Sequence, residues 1–277
     1  MKPFITQKTN LRNLRKSLDK SLPALTLTPL LSIPPIRQND NLADILLNSL
    51  RDTKVEPQND DIIVLAQKIV SKSEGRMRNI AEVVPSIRAL ELAEKTQKDA
   101  RIVELMLQES NEVLRTRVGA IIVEHKLGFI CANAGIDHSN VAGLGSDKEE
   151  WVLLLPENPD ESAHRIREEI RQKAGFNIGV MIIDSHGRAW RNGTVGVCIG
   201  LSGIPAVIDE RGWKDLFGYT LQVTVVGVAD ELAAAASLIM GQAAEGTPAV
   251  HVRGFPYPLR EGSLKELIRP VSMGSVQ

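Results

Sequence analysis

Two acids, a hydroxyl and a side-chain amide fall in polar stretches that interrupt apolar runs: Asp137 in 133–140, Asp184 and Ser185 in 184–188, and Gln242 in 241–248. Oxygen donors of this kind suit a hard divalent cation, magnesium or manganese. Local duties are the competing reading, with Asp137 closing an Asx turn, Asp184 capping the next segment and Gln242 lying at the surface. A second cluster, Gln67, Lys68, Ser71, Lys72, Glu74 and Arg76, follows directly on the apolar run Ile62–Ala66. Ammonium groups at a strand end can neutralise a triphosphate, whose transferred group needs charge stabilisation more than covalent help. An ordinary solvated loop is the alternative. Ile33-Pro34-Pro35-Ile36 offers rigid carbonyls and apolar walls for a purine base, or it simply terminates a strand.

Other chemistries are excluded by type and spacing. His125, His138, His164, His186 and His251 are scattered, and neither Cys131 nor Cys198 belongs to a CxxC or a zinc-ligand pair. Both cysteines sit in apolar runs, as reduced buried thiols do, which suits a cytoplasmic protein. There is no GxxxxGK[ST] loop, no GxGxxG after a strand and no GxSxG elbow. Ser185 and His186 are neighbours, and neighbours on a strand point apart, which argues against a nucleophile and its base. Lys plus Arg number 33 against 34 Asp plus Glu, a net charge of -1, so no global field favours nucleic acid or an anionic membrane. Any polyanion must be held by a local site.

The elements that would position these groups read as alternating strands and helices. Residues 1–22 form a basic arm with Lys2, Lys8, Arg12, Arg15, Lys16 and Lys20 against Asp19, and four prolines break the apolar stretch of residues 22–36, unlike a signal peptide. Leu and Thr alternate over 24–31, a half-buried strand. A helix over 42–50, capped by Asp40 or Asn41, precedes the buried strand 62–66. Pro85 and Ser86 open a helical region reaching about Arg115, read as a hairpin of two helices. Paired strands follow at 118–123 and 128–131, then a strand at 152–155 and an amphipathic helix from Asp160 or Ser162 to Ala174. Residues 178–183 are the clearest strand, ending at Asp184 and feeding a polar loop. Further strands are read at 195–199, 222–226 and 249–252. Residues 230–240 form an Ala-rich helix apolar all round, and therefore buried, with Asp230-Glu231 supporting its N-terminus. Trp151, Trp190 and Trp213 are expected in the core or at a dimer contact.

Taken in order, AQKIVSKSEGR (66–76), NAGIDHSN (133–140), LLLPENPD (153–160), GVMIIDSHGRAWRNGTVGVCIGLSG (179–203), VADELAAAASLIMGQAAEGTPAV (228–250) and VRG (252–254) resemble the coenzyme F-420:L-glutamate ligase family, also called F-420-0 gamma-glutamyl ligases. The resemblance covers roughly residues 24 to 270. It implies an enzyme, a GTP-dependent acid–amino-acid ligase forming an amide between L-glutamate and the lactyl carboxylate of coenzyme F-420-0 through an acyl phosphate, with possible further gamma-glutamyl additions. It also implies two divalent ions, magnesium or manganese, often potassium, and a homodimer. Matched position by position, Asp137, Asp184, Ser185 and Gln242 fall on metal-binding positions, with Ser185 where a Thr is frequent and Gln242 where an acid can occur. Ile33 to Ile36, Gln67, Lys68, Lys72 and Asn140 fall on nucleotide-contacting positions, as does the run Met240, Gly241, Gln242, Ala243, Ala244, Glu245, Gly246 and Thr247. Asp137, Asp184 and Lys72 are the expected catalytic set. Arg37 and Asn39 depart from a more usual Lys and Gly, and 141–150 is longer than the shortest versions of that loop.

The expected molecule is therefore an α+β protein of two lobes, with a mixed sheet, a polar cleft between the lobes and an intertwined homodimer. Its division is a basic arm over 1–22 and a catalytic domain over 23–277. Two other readings stand beside it, a paralogous ligase acting on a different carboxylate and a non-catalytic nucleotide-binding protein.

Overall fold

The computed structural model describes residues 24–141 and 151–269. The basic arm and nearly all of the 141–150 loop lie outside the described residues. A five-stranded mixed sheet is the frame. It comprises β1 (Thr26–Pro29), β2 (Ile62–Ala66), β8 (Gly179–Arg188), β9 (Arg191–Ser202) and β12 (Ala249–Arg253), in the order β1-β12-β2-β8-β9. Only β2 and β8 run parallel; the other pairs are antiparallel.

Continuous apolar runs in β2 and β8 fit strands covered on both faces. Alternate residues part cleanly. Ile63, Leu65, Val180 and Ile182 pack with Leu42, Leu46 and Leu50 of α1 (Leu42–Asp52) and with Ile166 and Ile170 of α5 (Pro159–Ala174). Ile62, Val64, Met181 and Ile183 pack on the opposite face with Ala229, Leu232, Ala233 and Ala236 of α6 (Val228–Met240). A one-residue shift in the β8–β9 register at Ile182/Ile183 lets β9 approach both helical layers. A Cβ on Gly196 would lie 2.6 Å from the Ala233 carbonyl of α6, and one on Gly200 would lie 2.5 Å from Pro159 of α5.

Caps fix where the helices start. Asn41 accepts from the Asp44 amide at 2.9 Å to open α1, and Asn158 with Pro159 opens α5, which Gly175 closes at φ 78°. A second set of cores stands beside the main sheet. Residues of α3 (Ile87–Thr96) and α4 (Ala100–Gln108) pack against the three-stranded sheet of β4 (Ser110–Arg117), β5 (Ala120–His125) and β6 (Ile130–Ala132). The short strands β3 (Met77–Asn79) and β7 (Trp151–Leu153) pair antiparallel, and Val152 of β7 packs in one cluster with Leu105 of α4. Among the described residues there are six α-helices, the remaining one being α2 (Gln67–Ser73), and a separate small pair, β10 (Ile208–Asp209) with β11 (Val225–Val226).

The α+β class and mixed sheet are as expected, and several boundaries move. The helical region is two helices, but it ends at Gln108 rather than Arg115. Residues 110–117 form a strand because Val118-Gly119, with Gly119 at φ 82°, turns the chain back onto β5. Residues 67–73 are helical, not a solvated loop. Strand β8 does not end at Asp184; it continues to Arg188 because Ala189-Trp190 closes a hairpin with β9. Of the strand expected over 222–226, Val225–Val226 is paired. Helix α6 is not buried all round, since Leu238 is 83% exposed. Trp190, placed by that hairpin turn, is 99% exposed and does not join the core.

Candidate functional site

Parallel pairing of β2 with β8 is what gathers the chemistry. Ala66 faces Ile183 in the register, so Gln67, which follows the end of β2, comes level with Asp184 within β8. Strand β12 runs the other way, and its partner pairing brings the preceding loop to that end as well: the Ala66 amide donates to the Pro248 carbonyl at 2.8 Å. Carboxyl ends of parallel strands are the usual place for ligands in open α/β sheets. Here that end collects α2, the segment 137–140 and the loop 241–248.

Asp137 is delivered by a strained turn. Asn133, Ala134 and Gly135 have φ of 55°, 53° and 64°, three consecutive left-handed residues, and Ala134 is fully buried. Such conformations cost about 1–2 kcal/mol for a non-glycine residue and gather at functional sites. Hydrogen bonds from both sides hold the turn: Asn133 Oδ1 accepts from the Ile121 amide at 3.1 Å, and Asp137 exchanges backbone bonds with Leu153 at 3.0 and 2.9 Å. The Asp137 carboxylate does not close an Asx turn. It accepts from Gln67 Nε2 at 2.7 Å and lies 3.5 Å from Lys68 Nζ. Gln67 is itself buried and oriented by Ser71, whose hydroxyl donates to Gln67 Oε1 at 2.8 Å.

The two lysines stitch α2 to the same segment. Lys68 Nζ donates to Ser139 Oγ at 2.8 Å, and Lys72 Nζ donates to the Asn140 carbonyl at 2.7 Å. Asn140 Nδ2 in turn donates to the Ala243 carbonyl at 3.1 Å, joining this segment to the loop after α6. Within that loop Met240 is buried, Gly241 takes φ 72°, the Ala243 amide donates to Glu245 at 2.8 Å and Thr247 Oγ1 donates to the Met240 carbonyl at 2.9 Å. Ser185 Oγ donates to Gln242 Oε1 at 2.9 Å, and Gln242 Nε2 donates to Ser237 Oγ at 3.1 Å. Gln242 does lie at the surface, though tied to Ser185 and Ser237, and Asp184 caps no helix; it lies within β8 with His186 Nε2 at 3.1 Å.

Electrostatics mark the two acids as one site. Burial raises the pKa of Asp137, and the like charge of Asp184 adds to the rise against the opposing pull of Lys68. Burial lowers the pKa of Lys72, with Lys68 adding to the effect. Repelling carboxylates and repelling ammonium groups side by side are relieved by a cation and an anion respectively. Among the described residues no group of three or more His, Cys, Asp or Glu gathers as a metal cluster. The oxygen donors instead fall in two pairs, the carboxylates of Asp137 and Asp184 on one side of β8 and the Ser185 hydroxyl with the Gln242 amide oxygen on the other, both of the type that hard cations take.

Of the expected site residues, Gln67, Lys68, Lys72, Asp137, Asn140, Asp184, Ser185 and Gln242 converge. Ile33–Ile36 stands one step away: Ile33 and Ile36 pack on the core while Pro34 and Pro35 are exposed, and the chain reaches α2 only afterwards, where the Asn39 amide donates to the Ser73 carbonyl at 2.8 Å. Ser139, Ser237 and His186 carry contacts that their types and spacing did not announce. Arg76, which read as part of the cationic run, is 6% exposed and turned away into ion pairs with Glu109 at 2.6 Å and Glu157 at 2.7 Å.

Fold and site define an α+β protein that gathers hard oxygen donors and two ammonium groups at one end of a mixed sheet. Residues 30–254 match the F420-0:Gamma-glutamyl ligase family, and the chain belongs to that family. Curated relatives agree over most of their length. The Coenzyme F420:L-glutamate ligase of Methanothermobacter thermautotrophicus is 43% identical over 86% of this chain and 93% of its own. That of Methanocaldococcus jannaschii is 46% identical over 76% and 82%, and that of Methanopyrus kandleri 42% over 84% and 88%.

Proposed function

We propose that this protein is a GTP-dependent ligase that joins L-glutamate to the lactyl carboxylate of coenzyme F-420-0. The observation that carries the reading is the convergence of Asp137 and Asp184 with Lys68 and Lys72 in a chain of that family. The carboxylate oxygen of the acceptor attacks the γ-phosphorus of GTP, and the bond to the β-phosphate oxygen breaks to release GDP. The amine of glutamate then attacks the acyl carbon of the resulting acyl phosphate. Inorganic phosphate leaves with the former carboxylate oxygen, and the nitrogen loses a proton as the amide forms. Repeated cycles on the terminal gamma-carboxyl would lengthen the tail.

Lys68 and Lys72 bind and orient the triphosphate, bringing positive charge to a reaction whose partners are both anionic. Asn140, which accepts from Lys72, and the loop Met240–Thr247 contact the same nucleotide, and Ile33–Ile36 supplies the wall for its base. Asp137, Asp184, Ser185 and Gln242 would hold magnesium or manganese. When bound, such ions neutralise phosphate oxygens and polarise the phosphorus. Two ions, an accessory potassium, a polar cleft between lobes and a homodimer belong to the same reading, as does action on small molecules in the cytoplasm. Among the described residues no helix is long and apolar enough to cross a membrane.

Purified protein incubated with GTP, manganese, glutamate and coenzyme F-420-0 should yield a product heavier by one glutamyl residue. Asp184→Asn should lower the rate by on the order of 10²-fold or more. Product formation by Asp184→Asn at the parent rate would contradict the assigned role.

A further inference from the structure

Asp184 and His186 stand two apart on β8, opposite Val197 and Val195 of β9, and so project from the same face of the strand. His186 Nε2 lies 3.1 Å from Asp184 Oδ2, and the two side chains are 13% and 12% exposed. A carboxylate only accepts hydrogen bonds, so Nε2 carries the hydrogen. The imidazole is not loose. Its ring centroid is 5.1 Å from that of Phe129 at a tilt of 55°, and Phe129 in turn stacks on His125 at 5.2 Å and 11°. His125 is 2% exposed and its Nδ1 accepts from the Leu127 amide at 3.0 Å, which anchors the far end of the stack in the backbone. Phe129 packs against both the main core and the core of the three-stranded sheet.

We infer that His186 is a positioning residue for Asp184. Its Nε2–H occupies Oδ2, fixes the carboxylate plane and leaves Oδ1 as the oxygen presented to a divalent cation. The inference rests on the reading of Asp184 as a metal ligand, and it adds a group that the oxygen-donor set does not contain. Hydrogen-bonded partners of ligating groups hold them in the binding geometry, and their loss typically weakens metal affinity by about 10- to 100-fold. The aromatic contact serves the same end, since packing against Phe129 restrains the ring from swinging away from the carboxylate. Ser185 points its hydroxyl elsewhere, to Gln242, so His186 has no nucleophile beside it and its imidazole is free for this duty.

The test uses Mn2+ alone, titrated into the full chain and followed by the paramagnetic resonance signal of the free ion, with melting curves recorded for every variant. His186→Phe keeps ring volume and removes the donor. His186→Gln places an amide N–H near the position of Nε2. The expected result is a dissociation constant raised about 10-fold or more in His186→Phe, a change within about threefold in His186→Gln, and melting close to the parent for both. His186→Leu, smaller than Phe, carries the same expectation and guards against a crowding effect. An affinity in His186→Phe and His186→Leu equal to the parent's overturns the inference, as does equal weakening in His186→Phe and His186→Gln. Mn2+ binding that is absent in the parent, or unchanged in Asp184→Asn, overturns the metal reading and the inference together.

Discussion

Residue types announced more of the site than residue spacing did. Asp137, Asp184, Ser185 and Gln242 are legible from type alone as oxygen donors of the kind a hard cation takes, but their bonds to Gln67, Lys68 and Ser237 depend on tertiary pairing and leave no trace in a single sequence. The same holds for Arg76, which is indistinguishable in sequence from its cationic neighbours and yet is consumed by Glu109 and Glu157. Lys72 remains available, because its partner is a backbone carbonyl rather than a carboxylate. Lys72→Ala should raise the Michaelis constant for GTP by roughly 10- to 100-fold, the loss of one hydrogen bond to a charged group, as steady-state kinetics at saturating glutamate will read. An unaltered constant would return Lys72 to the role of a surface tether. His125 gives a prediction of different kind. Burial, reinforced by the charge of Arg76, lowers its pKa from 6.5 to about 4. The unfolded chain therefore binds the extra proton first, so this contribution to stability is complete above pH 6.5 and is lost as pH falls toward 4. Denaturant titrations across that window should show the parent losing up to about 3 kcal/mol more than His125→Phe. Equal losses would remove His125 from the account.

Elements were read well where periodicity was strong and poorly where a turn overrode propensity. The buried strand at 62–66 and the helices α5 and α6 follow from unbroken or amphipathic patterns. Strand β4 does not, because Glu, Leu and Arg at 110–117 favour helix and only the Val118-Gly119 turn commits them to a hairpin. The extension of β8 past Asp184 has a like cause in Ala189-Trp190, and it matters for chemistry: a strand, not a loop, sets the alternation that puts Asp184 and His186 on one face. Close packing of β9 on α6 is the corresponding test. Gly196→Ala would drive a methyl group to 2.6 Å from the Ala233 carbonyl and 2.5 Å from Ser237 Cβ. It should cost about 1–3 kcal/mol, a fall of several degrees in melting temperature. Because Ser237 holds Gln242, the same variant should also weaken Mn2+ binding; a melting temperature equal to the parent's would show that the layers have room to spare.

At the scale of the molecule, topology does what no local pattern reveals. Segments separated by more than a hundred residues meet because β2 and β8 are parallel neighbours and β12 returns beside them, so 67–72, 137–140, 184–185 and 241–247 share one end of the sheet. The α+β class was legible from alternating helix and strand signals, but the strand order was not, since a sequence pattern carries no register. Family motifs pointed to the converging loops in advance, and the sheet supplies the physical reason that they converge. What this arrangement is proposed to accomplish is one chemical event, transfer of a phosphoryl group to a carboxylate before amide formation. Coenzyme F-420-0 labelled with ¹⁸O in its lactyl carboxylate tests that event most directly, with mass spectrometry of the phosphate released during ligation from GTP and glutamate. The account predicts one labelled oxygen in the phosphate for each amide formed. Amide product accompanied by wholly unlabelled phosphate would contradict it.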